Sequence, residues 1–227
     1  MGKVFAVIPA RAGSKRIKNK NIVDFHGKAI IEWPLGVLLK HPDIKEVFVS
    51  SDSQEILDVS SKAGAKSIFR SPELSGDHVG IADVVRDFIK SQDIEDSDTV
   101  MCVFATNVWL SDERIFEALE LLRNKPDSMV LGVGRYNHPI SRRLVKRDFG
   151  YVMVESKKAK ARTQDEQTTY FDTGYFYLAS KKTWLQRERI FDQSVEAIEL
   201  DRRESIDIDT ESDLEFAKMV FGGNGPC

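Results

Sequence analysis

Two short segments far apart in the chain carry residue types with complementary chemistry. Residues 9–21, PARAGSKRIKNKN, gather five cationic side chains and no acid, in a chain whose formal net charge is −3. Arg11, Lys15, Arg16 and Lys20 can neutralise several phosphate charges. Gly13 allows a turn with positive φ, in which neighbouring backbone N–H groups converge on an anion. The composition therefore predicts a polyphosphate site, although a solvated basic loop would read the same way. Residues 205–213, SIDIDTESD, supply the opposite charge. On a short strand the two-residue period puts Ile206 and Ile208 on one face and Asp207 and Asp209 on the other. Two adjacent carboxylates repel unless a cation lies between them, and hard oxygen ligands suit Mg²⁺, which keeps several waters and bridges carboxylates to substrate phosphates. The other reading of Asp209 is as a residue that merely precedes a helix. Thr210 and Asp213 have the spacing of a capping box and are assigned to that helix start.

A third group, Arg70-Ser-Pro-Glu-Leu-Ser-Gly-Asp77-His78, is rich in turn residues. Arg70 can meet a base or a phosphate, and an exposed strand-end arginine would look alike. Neither GxxxxGK[ST] nor GxGxxG is present, so Walker-type NTPases and dinucleotide oxidoreductases find no support. His26, His41 and His138 lie beside Gly or Pro without metal spacing, and there is no GxSxG, which argues against a histidine-based hydrolase. Cys102 and Cys227 fit no metal or disulfide framework.

The elements that must hold these groups follow from apolar patterning. With 41% hydrophobic and 30% charged residues in 227, the chain can bury one good core. Mixed charge argues against nucleic acid or a membrane as partner. The N-terminal apolar segment is too short for a signal peptide or a span, so a cytoplasmic protein is expected. Strand-like runs fall at 4–8, 46–51, 66–70, 99–104 and 129–135, separated by helical spacing at about 29–41, 53–64, 80–92 and 111–124. This alternation predicts an α/β fold whose mostly parallel sheet has helices on both faces. In such a sheet ligands bind at the carboxyl ends of the strands, which is where the basic loop emerges. Asp52-Ser-Gln-Glu55 has the form of a helix N-cap, and Gly64 that of a C-terminal stop. Pro34 requires that the first helix begin near Ile31 or be kinked. From about 136 to 172 the rhythm changes to a hairpin or protruding lobe, with Phe149-Gly150 near its turn. Strand-like segments return at 174–180 and 194–200, with a short helix containing Trp184 between them. A last helix follows Thr210, giving one domain over 1–221, and the tail 222–227 is expected to be disordered.

Taken together, the motifs resemble the CMP-sialic acid synthetase family of cytidylyltransferases. IPARAGSKRIKNKNI is similar to its first motif, VSSDSQEI with AGA to its second, RSPELSGDHVGIADVV to the segment that closes on the nucleotide, and ESIDIDTESDLEFA to its metal motif. Cys102-Val-Phe-Ala-Thr106 is closest to the pseudaminic acid cytidylyltransferase branch. Sialic acid enzymes tend to carry a glutamine at the Phe104 position. HPISRRL, RTQD, FDTGYFYL and Trp184-Leu185 are similar to the branch's sugar-side segments. Asn107-Val108-Trp109 and Asp172-Thr173-Gly174-Tyr175 depart from the family pattern where the sugar should lie.

The resemblance implies a Rossmann-like, GT-A-like nucleotidyltransferase that transfers CMP from CTP to the 2-hydroxyl of a nine-carbon keto acid sugar. Arg11, Lys15 and Lys20 would hold the triphosphate, and Asp207 and Asp209 the metal. Ala10, Gly13, Ser14, Asn21, Arg70 and Asp77 would contact the nucleotide. Arg143 or Arg162 would take the sugar carboxylate, with Gln164 and Asp172 on its hydroxyl or amide groups. Mg²⁺ or another divalent cation is the implied cofactor and a homodimer the implied assembly. Sialic and legionaminic acids remain alternative sugars, and a non-catalytic nucleotide-binding protein of this fold is the rival from another class.

Overall fold

β-branched and aromatic runs make the strands that patterning predicts, and turn chemistry sets most boundaries. The computed structural model describes residues 2–76, 78–154 and 167–223. In chain order the elements are β1 (Val4–Pro9), the ribbon strands β2 (Asp24–Phe25) and β3 (Lys28–Ala29), α1 (Glu32–Leu38), β4 (Ile44–Ser51), α2 (Gln54–Lys62), β5 (Lys66–Phe69), α3 (Ile81–Ser91), β6 (Thr99–Val103), α4 (Asp112–Asn124), β7 (Val130–Arg135), β8 (Leu144–Arg147), β9 (Gly150–Met153), β10 (Tyr170–Ser180), α5 (Lys181–Gln186), β11 (Glu196–Leu200) and α6 (Glu211–Gly223). The central sheet has seven strands in the order β11-β7-β10-β6-β1-β4-β5. Its pairings are parallel except those of β10, which runs antiparallel to both β6 and β7. The start of β10 therefore lies at the same edge as the carboxyl ends of the parallel strands, and residues 170–175 are delivered to the ligand-binding edge.

Alternation along β1 divides the core. Ala6 and Ile8 pack with Leu35 and Leu38 of α1, Ile56 of α2 and Leu119 of α4. Phe5 and Val7 pack with Phe88 of α3 and Trp184 of α5 on the opposite face. A third, smaller cluster joins Ile17 of the basic loop, Phe25 of the ribbon, Val108, Ile208 and Phe221 of α6. Burying apolar surface at this shared point fixes the basic and acidic segments relative to each other.

Several boundaries differ from expectation for identifiable reasons. The helix expected over 29–41 starts only at Glu32, because Ala29 pairs with Asp24 in the β2–β3 ribbon and Ile30 N–H donates to the Val23 carbonyl. Pro34 then falls in the first helical turn, where no N–H is needed. The cap of α2 is Ser53, whose hydroxyl accepts from Ile56 N–H, and not Asp52. Gly64 does stop that helix, at φ 107°. The short strand expected at Asp207–Asp209 is not formed: the segment lies between β11 and α6 and joins no ladder. Residues 144–153 form the expected hairpin, closed by the pair Arg147–Gly150 around Asp148-Phe149. α6 runs through Gly223, into the expected tail. Among the described residues no helix is long and apolar enough to cross a membrane.

Candidate active site

The carboxyl edge of the sheet carries two adjoining openings that share Pro9, Lys20, Asn21, Phe104 and Asp209. The larger, about 560 Å³, is lined by Arg11, Ser14, Lys15, Arg16 and Arg70, with Leu74, Val79 and Val84 as an apolar wall. The smaller, about 220 Å³, is lined by Thr106, Asn107, Thr173, Gly174, Tyr175, Glu204 and Asp207. The cationic loop and the acidic segment thus converge, and Lys20 is the hinge between them. Its Nζ donates to the Ile208 carbonyl at 2.7 Å and to Asp209 Oδ1 at 2.9 Å. Arg16 pairs with the other Asp209 oxygen at 2.7 Å.

The two carboxylates differ electrostatically. Burial pushes Asp209 up, but the hydrogen bond and charge of Lys20, together with Arg16, outweigh it and hold the carboxyl below its usual range. Burial, and then the Asp209 charge, push Asp207 up against the opposing pull of Lys20. No described residue donates a hydrogen bond to Asp207, and among the described residues no group of three or more potential ligands gathers. Two carboxylates of this kind fit a hard cation that takes its remaining ligands from water and phosphates. Thr210 and Asp213 form the expected capping box: the Asp213 carboxylate accepts from Thr210 N–H at 2.7 Å and Asp213 N–H donates to the Thr210 hydroxyl.

The basic loop is held differently from expectation. Gly13 does not adopt positive φ; in this loop Asn19 does, at 53°. A Cβ on Gly13 would meet nothing within 4 Å, so no close approach demands glycine there. Ala12 N–H donates to Asp52 Oδ1 at 2.8 Å and Ser14 N–H to the Ala12 carbonyl, so these two donors serve the loop itself and its positive charge comes from side chains. The spacing of Asp52 predicts a helix cap, and its tether to Ala12, forty residues away, has no local signal. Asn21 Nδ2 donates to the Arg11 carbonyl. Ala10 is buried under the loop. Arg70, only 4% exposed, donates from Nε to Ser75, and burial lowers its pKa against the opposing charge of Asp52.

On the sugar side the placement is more selective. Asp172 lies outside both linings, its oxygens accepting from Gly174 N–H at 3.0 Å and the Tyr177 hydroxyl at 2.6 Å. Arg143 sits at the base of the β8–β9 hairpin, where its carbonyl accepts from Val154 N–H, and is likewise absent from both linings. Trp184 is a core residue whose indole donates to the Val100 carbonyl near the opposite edge of the sheet, not a sugar-side residue. Asp77, Arg162 and Gln164 lie outside the described residues.

Glu204 also lines the smaller opening, at a position with no motif to mark it. Its two oxygens take a bidentate pair from Arg114 Nε and Nη2, both at 2.7 Å, while Oε2 also accepts from Asp201 N–H. This clamp ties α4 to the turn that launches Ile206–Asp209. Arg114→Ala is expected to cost about 1–3 kcal/mol in urea unfolding, the range for a charge-assisted hydrogen bond.

A cationic opening beside an acid-lined chamber, at the carboxyl edge of a mostly parallel sheet, is the layout of a Rossmann-like nucleotide-binding fold. Solved structures share this fold over nearly the whole chain. CMP:2-keto-3-deoxy-manno-octonic acid synthetase complexed with CTP superposes with a TM-score of 0.72 at 16% identity, covering 98% of this chain and 99% of that one. The 4-diphosphocytidyl-2C-methyl-D-erythritol synthase of Anaerococcus prevotii gives 0.64 at 17% identity, covering 97% and 96%. A family model described as cytidylyltransferase matches residues 5–223, and the chain belongs to that family. It is 35% identical over 226 residues to the pseudaminic acid cytidylyltransferase of Campylobacter jejuni subsp. jejuni serotype O:2, covering 98% of this chain and 97% of the relative. It is 29% identical to the N-acylneuraminate cytidylyltransferase of Streptococcus agalactiae serotype V, covering 93% of this chain and 52% of that protein.

Proposed function

We propose that this cytidylyltransferase transfers CMP from CTP to the 2-hydroxyl of a nonulosonic acid, pseudaminic acid, releasing pyrophosphate. The observation that carries the reading is the convergence of Arg11, Lys15 and Lys20 with Asp207 and Asp209 around two connected openings. The 35% identity along the full chain to a pseudaminic acid cytidylyltransferase supports the choice of sugar, as does Phe104 at the junction of the openings. In the reaction the sugar oxygen bonds to the α-phosphorus, the bond from that phosphorus to the bridging oxygen breaks, pyrophosphate leaves with the electron pair, and the hydroxyl proton passes to solvent. Arg11 and Lys15 hold the triphosphate, and Lys20 faces the charge that develops on the leaving group. Ser14, Asn21 and Arg70 frame the nucleotide. Mg²⁺ held by Asp207 and Asp209 would screen phosphate oxygens and polarise the reacting phosphoryl group. Comparing kcat/KM for pseudaminic, sialic and legionaminic acids tests the sugar: a preference for pseudaminic acid is expected, and a preference for another sugar would overturn that part.

We place the enzyme in the cytoplasm, which supplies CTP, and propose a homodimer. The β8–β9 hairpin presents Leu144, Phe149, Tyr151 and Val154, exposed by 56%, 83%, 69% and 43%, an apolar surface suited to burial against a second copy. Light scattering is expected to give twice the chain mass, and Leu144→Ser with Phe149→Ser to shift it to one chain mass. One chain mass for the unmodified protein would contradict the dimer.

A further inference from the structure

The wall of the smaller chamber contains a hydrogen-bonded unit built from the two segments that depart from the family pattern. Asn107, 7% exposed, donates from Nδ2 to the Tyr175 carbonyl at 2.7 Å. The Tyr175 hydroxyl in turn donates to the Trp109 carbonyl at 2.6 Å. The partner of the Asn107 amide is a carbonyl, which can only accept, so the nitrogen end must face it and the Oδ1 end is fixed the other way. Two features lock the geometry. The β10 register slips between Asp172 and Tyr177, and Gly174 takes φ 64°, so residues 173–175 leave the ladder and enter the chamber lining.

Most polar side chains of this chamber already have partners within the protein. Lys20 and Asp209 hold each other, Asn21 donates to Arg11, and Glu204 is clamped by Arg114. The Thr173 hydroxyl donates to Gly132 and accepts from Tyr175 N–H. Asn107 Oδ1 accepts from no described residue. Among the described residues the single buried side-chain polar atom without a partner is His41 Nε2, so Asn107 Oδ1 keeps some access to solvent, at a residue that lines this chamber. The chamber thus presents a rigid acceptor that cannot be rotated into a donor without breaking the Tyr175 contact.

We infer that Asn107 is a specificity-determining residue, whose Oδ1 accepts a hydrogen bond from an N–H or O–H of the acceptor sugar. This rests on the proposal that the sugar occupies this chamber. A buried polar group built to pair with a ligand donor discriminates against analogues that lack the donor. The test compares an acetamido-bearing nonulosonic acid with analogues in which one acetamido or hydroxyl group is replaced by hydrogen or a keto oxygen. Wild type is expected to disfavour at least one analogue by about tenfold or more in kcat/KM, the scale of one well-made hydrogen bond. Asn107→Ala is expected to remove that difference and raise the sugar KM about tenfold, with the CTP KM within about twofold. Tyr175→Phe loosens the wall but keeps the backbone carbonyl that orients Asn107, and should retain the discrimination. If Asn107→Ala does not fold, Asn107→Ser, which keeps a donor near Tyr175 without the fixed acceptor, is expected to show the same loss. Discrimination that survives in the Asn107 variant, or a loss that Tyr175→Phe reproduces, would overturn this assignment alone. Absence of turnover by the wild type with every sugar would overturn the reading of the site, and this inference with it.

Discussion

Asp207→Asn is expected to lower kcat by about 10³-fold while leaving CTP binding nearly intact, because it removes charge that matters most as the phosphoryl group transfers. The structure also ranks it against its neighbour. Asp209 already has Lys20 and Arg16 as counterions, whereas Asp207, an exposed residue on the lining of the smaller opening, is pushed up by partial desolvation and the Asp209 charge and has no paired cation among the described residues. Asp207 is therefore the carboxylate most in need of a bound cation. Asp209→Asn removes the second proposed metal carboxylate, so its kcat is expected to fall by about 10²-fold, while the release of Lys20 and Arg16 toward the triphosphate keeps the KM for CTP from rising. Pyrophosphate release across a Mg²⁺ titration separates the two. Turnover within about twofold of wild type in Asp207→Asn would refute its role as a cation ligand.

Lys20→Ala is expected to have the second-largest effect, because one ammonium serves both segments. It lines both openings, binds the Ile208 carbonyl and holds Asp209. In the proposed site its removal would take a positive charge from the triphosphate, and it leaves Asp209 with Arg16 as its one remaining counterion beside Asp207. A kcat/KM loss of about 10²–10³-fold is expected, with about 1–3 kcal/mol lost in stability. Lys20→Arg should not restore activity, since the broad guanidinium fork cannot replace a compact ammonium bound to a backbone carbonyl and one carboxylate oxygen. Lys18→Ala serves as the internal control: it belongs to the same basic run but lies outside both linings, and its kcat/KM should stay within about twofold. Equal losses in Lys18→Ala and Lys20→Ala would mean that bulk positive charge, not placement, is what the loop supplies.

Much of this arrangement is legible in the sequence because it rests on local rules. Runs such as VFAVI and TVMCV are β-branched or apolar throughout and become the buried strands β1 and β6. Asp207 and Asp209 both line the smaller opening, as their two-residue spacing predicts, although their segment forms no strand. What is not legible depends on partners distant in sequence. Nothing in GYFYLAS reveals that β10 lies antiparallel between β6 and β7, although that placement is what brings Thr173–Tyr175 to the site. Asp52 fits a cap by spacing, but Ser53 wins that role and Asp52 turns instead to Ala12, forty residues back. Gly13 suggested a positive-φ turn that Asn19 makes instead. Asp172 has the right type for a sugar contact, but its oxygens are engaged by Gly174 and Tyr177, a pairing that only the folded register creates. Burial raises the pKa of Tyr177, and the hydrogen bond to Asp172 adds to it, which keeps the phenol protonated as the donor. Trp184 shows the converse, a motif-like residue whose burial is explained by the core alone.

If the basic loop and the acidic segment form one catalytic site, and not a nucleotide-binding site without chemistry, turnover must need both the sugar and the metal. The most direct test incubates the protein with CTP, Mg²⁺ and pseudaminic acid, and follows pyrophosphate together with CMP-sugar by mass spectrometry. The expected result is equimolar pyrophosphate and CMP-pseudaminic acid, formed only when sugar and metal are both present. Saturable CTP binding with no pyrophosphate released, whichever nonulosonic acid is supplied, would contradict it.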